Sequence, residues 1–131
     1  MFFKKSARME GKRKRDEEAK RIAANAATEA YLEGLRKWDN MMYEEASESF
    51  YKSLLLSHRM IDIGEGDSLP VEKIVTKYLL CFKNLGRPAD GFLNMAVNYE
   101  ARGQMNIAKE YRDAATTVMQ SPNGELNHSE L

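Results

Sequence analysis

Bulky and small residues alternate between Phe92 and Ala115 at the spacings of two helices folded against each other, which confines this part of the chain to a helical hairpin. Phe92, Met95, Ala96 and Tyr99 share one stripe, Gly103 supplies the break, and Ala108, Tyr111, Ala115 and Val118 share a second stripe. Small residues sit where the two backbones must approach closely. A second run, Tyr31 to Leu54, repeats the theme with Gly34, Trp38, Tyr43, Ala46, Phe50 and Ser53.

The same periodicity predicts five helices. The first runs from about Glu17, or as early as Glu10, to Asp39, with Ile22, Ala23, Ala26, Ala27, Ala30, Tyr31, Leu35 and Trp38 on its buried side. The second runs from Tyr43 to about Met60 and buries Ala46, Phe50, Leu54 and Ile61. Asp62 to Pro70 reads as a loop, with Ser68 and Pro70 placed to start a helix. The third helix, Val71 to Leu85, buries Val71, Ile74, Val75, Tyr78, Leu79, Phe82 and Leu85; Gly86 stops it. Pro88 opens the fourth, which reaches about Arg102, and Gln104 to Gln120 form the fifth. No segment alternates apolar and polar residues long enough for a strand, so the expected class is all-α. The expected organisation is a basic arm or helix extension over 1–21, a helical domain over 22–120 and a disordered polar tail over 121–131.

A hydrophobic share of 43% against 31% charged suits one soluble domain at this length of 131 residues. Cys81 is the only cysteine, so no intrachain disulfide can form, which suits a reducing compartment. No apolar run approaches the roughly 20 residues that span a bilayer. An intracellular, cytoplasmic protein without a transmembrane segment is the expectation, with a nuclear location as the alternative. The net charge of zero hides an asymmetry: residues 4 to 21 hold nine Lys and Arg against four acids, so the rest of the chain carries a matching negative surplus. A basic arm on an acidic body points to a phosphate-rich or acidic partner, or to a contact between the two. Lys12, Arg13, Lys14 and Arg15 are the candidate residues for nucleic-acid or acidic-partner binding, and the run resembles a nuclear-import signal.

Catalysis finds little support. His58 and His128 are the only histidines, and no ligand spacing links them to Cys81 or to the carboxylates. The pairs Glu17-Glu18 and Glu44-Glu45 are adjacent and point in different directions on a helix. Gly64-Glu65-Gly66 lacks the Lys and Ser or Thr of a phosphate loop. No enzyme activity, metal or cofactor is expected.

The two hairpin patterns resemble tetratricopeptide (TPR) repeats. Gly34 and Ala46 stand twelve apart, as do Ala96 and Ala108, and the family's small residue late in the second helix is matched by Ser53 and Ala115. Its aromatic positions are matched by Tyr43 and Phe50, and by Phe92, Tyr99 and Tyr111. TPR arrays alternate two helices per repeat, yet a single helix, Val71 to Leu85, separates the matched hairpins. Either it is inserted or capping, or it pairs with the fourth helix through Phe82 and Gly91 and leaves the fifth as a cap. The resemblance implies antiparallel hairpins in a right-handed array or bundle and a non-catalytic role in binding proteins, as adaptor, assembly factor or chaperone-like subunit. It implies a partner-binding face of Tyr31, Leu35, Trp38 and Asp39 on the first helix and of Leu93, Asn94 and Val97 on the fourth. Only Asn94 resembles the Lys, Arg and Asn set that grips terminal carboxylates in such grooves, so an apolar groove for an amphipathic helix or extended segment is expected. Core packing is the competing role for Tyr31, Leu35 and Trp38. The alternative function is an RNA-, DNA- or ribonucleoprotein-associated subunit that binds through the basic segment.

Overall fold

The computed structural model describes residues 2–64 and 69–120; within the first helix it places the side chains of Lys14, Arg15, Glu17, Glu18 and Ile22 and all those from Asn25 onward. Five helices result: α1 (Phe2–Asp39), α2 (Tyr43–Asp62), α3 (Val71–Asn84), α4 (Pro88–Ala101) and α5 (Met105–Gln120). The described residues contain no strand, and the fold is all-α. Ser68 and the 121–131 tail lie outside the described residues.

Each helix packs on the next, α1 on α2, α2 on α3, α3 on α4 and α4 on α5. Contacts between non-consecutive helices show how the array is layered. His58 on α2 meets Tyr99 on α4, with ring centroids 5.4 Å apart, and Arg102 just beyond α4 bonds Asp62 at the end of α2. These contacts join residues 41 and 40 positions apart, so α2 and α4 run side by side in the same direction. Lys77 on α3 lies over the Trp38 ring of α1, 5.0 Å from its centroid, which puts α1 and α3 together in the other layer.

Two close approaches lock consecutive helices. Gly34 of α1 lies against the fully buried Phe50 ring of α2, where an added Cβ would sit 2.6 Å from a ring carbon. Gly91 of α4 lies against Phe82 of α3, where an added Cβ would sit 3.1 Å from Cβ of Phe82. Two turns from Gly34 along α1, the Ser53 hydroxyl donates to the Ala27 carbonyl oxygen at 2.7 Å, so the buried hydroxyl both allows the approach and is satisfied by it. Phe50, Leu54, Ile74, Cys81 and Met95 form the fully buried centre. Rings extend it on both sides: Tyr31 on Phe50, Tyr51 on Tyr78 on Phe82, and Phe92 and Tyr99 on Tyr111.

The stops after α3, α4 and α1 share one turn, with one exchange of residue. Gly86 and Gly103 adopt φ of +74° and +78°, while Arg87 and Gln104 donate their backbone N–H back to the Phe82 and Tyr99 carbonyl oxygens, both at 2.9 Å. After α1 the same turn closes with Met42 N–H donating to the Lys37 carbonyl oxygen at 2.8 Å, but Met41 occupies the left-handed position at φ +60°.

Three expectations need correction. α1 begins at Phe2, not near Glu10 or Glu17: apolar periodicity starts only at Ile22, whereas the Lys, Arg, Glu and Ala before it favour helix without a buried stripe. Ile22 is 58% exposed, because α2 does not cover that side of α1. Ile61 is 43% exposed and Met60 is buried in its place, since the stripe of α2 turns through His58 toward α4.

Candidate interaction surfaces

Trp38 stands near the end of α1 with its ring edge-on to Tyr43, centroids 5.0 Å apart and planes at 81°. Lys77 covers another side of the ring, a cation over the π face of the indole. Trp38 and Leu35 are half-buried and packed on the core, so each keeps part of its surface in solvent. Asp39 is exposed. Tyr31 is core: it is 8% exposed, its ring lies 5.5 Å from Phe50, and burial pushes its phenol above the usual range.

The other expected set lies elsewhere. Leu93 and Val97, one turn apart on α4, are 38% and 66% exposed. Asn94 donates from Nδ2 to the Tyr78 hydroxyl at 3.0 Å and thereby ties α4 to α3. Burial raises the Tyr78 phenol, and this bond offsets part of the rise. Because α1 and α4 belong to different layers, Leu35 and Trp38 are not brought together with Leu93 and Val97 in one groove. Of the basic run, Lys14 and Arg15 are exposed, while the Lys12 and Arg13 side chains lie outside the described residues.

A polar cluster escapes any reading of single helices. His58 is 4% exposed, with Nε2 3.5 Å from the Tyr99 hydroxyl. Arg102 donates two bonds to Asp62, at 3.1 and 2.9 Å, and holds that carboxyl below its usual range. The cluster closes one end of the seam between α2 and α4. The one signal for it in the sequence is that His58 continues the Phe50 and Leu54 stripe at four-residue steps. Next to it a cleft is lined by Val71, Val75 and Leu79 of α3, Phe92 and Tyr99 of α4, and Tyr111 of α5. Burial pushes Tyr111 up to about 12.

Burial also pushes the Cys81 thiol up to about 12, so it is a neutral core group near neutral pH. Among the described residues no group of three or more His, Cys, Asp or Glu is placed to hold a metal ion, and no helix is long and apolar enough to cross a membrane. No protein-family profile matches the chain, and no curated protein or solved structure is significantly similar to it.

Proposed function

We propose that the chain is a non-catalytic protein-interaction module, a TPR-like helical array that serves as adaptor, assembly factor or chaperone-like subunit, acting in the cytoplasm. On this reading a partner segment docks on the side of the α1–α3 layer that carries Leu35 and Trp38. The supporting observation is the setting of Trp38, a half-buried indole between Tyr43 and Lys77 where α3 meets the end of α1. Large aromatic side chains flanked by a cation are the kind of anchor that dominates binding at such surfaces. A partner that offers an apolar side chain beside a carboxylate fits, the first against Trp38 and the second toward Lys77. Leu93 and Val97 serve as the comparison face, because they lie in the other layer.

Photo-crosslinking separates the two faces. A photoreactive residue at Leu35 should form adducts with one partner, identified by mass spectrometry, and Lys77→Glu should reduce their yield. The same residue at Val97 should not capture that partner. Adducts at Val97 alone would move the surface to α4, and adducts at neither position would retire the reading.

A further inference from the structure

α3 and α5 each pack on α4, and a cleft of about 290 Å³ stays open between them. That is room for a head group, not for a drug-sized molecule. Val75 and Leu79, both buried, form its apolar side on α3, and the rings of Phe92, Tyr99 and Tyr111 form the side on α4 and α5. Tyr99 stacks on Tyr111 with centroids 5.6 Å apart and planes at 12°, and Phe92 lies 6.4 Å from Tyr111 at 34°. Tyr111 is the half-buried member of the three, so its ring is the one most open to solvent. Glu72, exposed in the first turn of α3, is the one charged residue lining the cleft among the described residues. No ion pair engages its carboxylate among those residues. Burial raises the Tyr99 and Tyr111 phenols first, and Glu72 raises both further, so its charge acts on both hydroxyls. Arg102 opposes this at Tyr99, but two bonds commit its guanidinium to Asp62.

We infer that this cleft is a binding site for a quaternary ammonium group, such as the head of choline or of a trimethylated lysine, separate from the face that carries Trp38. Charge complementarity carries the inference: aromatic rings and an unpaired carboxylate border the same small volume, and both attract a cation. The apolar side selects among cations. A primary ammonium would leave N–H donors without partners against Val75 and Leu79, a cost that a quaternary ammonium avoids, because methyl groups stand in place of those donors. An anionic ligand meets repulsion from Glu72. A neutral apolar group fits the same walls but gains nothing from the carboxylate, so the charge of the ligand is what the site distinguishes.

Nuclear magnetic resonance titration of the whole chain with choline, with ethanolamine and with 3,3-dimethylbutan-1-ol, the uncharged isostere of choline, tests the inference. Choline should bind about tenfold tighter than either of the others, with Overhauser contacts from its methyl groups to the Tyr111 ring. Glu72→Gln should cut the preference over the isostere to about threefold or less and leave isostere binding unchanged, while Glu45→Gln, at an exposed position on α2, should alter neither. Tyr111→Leu should abolish the preference, and melting curves identify any variant that loses the fold. Glu72, being exposed, keeps the test decisive if Tyr111→Leu unfolds. Acetylated trimethyl-lysine amide separates the two sources of the head group: tighter binding than choline assigns a protein side chain, weaker binding a small molecule, and the site stands in both cases. Equal binding of choline and its isostere, including none of either, ethanolamine as tight as choline, or an unaltered preference in Glu72→Gln would overturn the inference.

Discussion

The α1–α2 and α3–α4 contacts both set a glycine against a phenylalanine, yet the two glycines carry different burdens. At Gly34 the neighbours are three ring carbons of Phe50, all closer than 3 Å to an added Cβ, and the ring is fully buried with nowhere to move. At Gly91 the nearest atoms are Cβ and two ring carbons of Phe82, at 3.1 to 3.3 Å, which a shift of a few tenths of an ångström relieves. A glycine in a helix interior already costs about 1 kcal/mol against alanine. That cost is unavoidable in the first pair and nearly optional in the second, so the α1–α2 hairpin is the more tightly specified of the two.

The largest expected effect follows directly. Gly34→Ala should destabilise the domain by about 2 to 3 kcal/mol through overpacking, whereas Gly91→Ala should cost under about 1 kcal/mol, because the helix-propensity gain offsets the squeeze. Chemical denaturation of both variants checks this, and equal losses would erase the distinction between the two contacts. Ala108→Leu comes next. Ala108 and Ala96 are buried in the α4–α5 pair at 0% and 2% exposure, and an added isobutyl group at either should cost about 1 to 3 kcal/mol. Unchanged melting for both would mean that the α4–α5 contact is loose.

Alkaline pH probes the buried thiol and phenols, most strongly Cys81 of α3 and Tyr111 of α5. Cys81 and Tyr111 are raised by burial from about 9 and 10 to about 12. The native state therefore keeps protons that the unfolded chain has released. Stability should be full below about pH 9 and fall as pH rises toward 12, by about 1 kcal/mol near pH 9.5. Urea midpoints across this range should show the decline, and Cys81→Ala should delay its onset to about pH 10; an onset unmoved by that substitution would contradict the assignment. The smallest effect is a gain. Met41→Gly should stabilise by about 0.5 kcal/mol, because Met41 holds the left-handed position that Gly86 and Gly103 hold elsewhere, and its side chain, 77% exposed, packs on little. A loss of melting temperature would show instead that the methionine makes a contact worth more than its backbone strain.

The limits of sequence reading follow the same division. The stripes of α3, α4 and α5 are legible because their apolar residues recur at helical spacing and Gly86, Pro88 and Gly103 mark the boundaries, and the structure buries Ile74, Tyr78, Phe92, Met95 and Ala108 accordingly. The extension of α1 is only half legible: charged residues with good helix propensity allow a helix extension over 1–21 as well as an arm, but leave no apolar periodicity to choose between them or to fix the start at Phe2. The division of Leu35 and Trp38 from Leu93 and Val97 is also hidden: which helices share a layer depends on contacts such as Lys77 with Trp38, joining residues 39 positions apart. Local pattern identifies the faces of a helix but not the neighbour each face meets.

Trp38 is the only tryptophan, so its fluorescence reports the proposed docking face directly. On purified protein, a soluble quencher should reach the indole to an intermediate degree and lose access when the crosslinked partner is bound. Trp38→Ala should weaken that partner by about 2 kcal/mol or more while helix content and cooperative melting persist. An indole closed to quencher in the free protein, together with unfolding of Trp38→Ala, would contradict the account and make Trp38 a core residue.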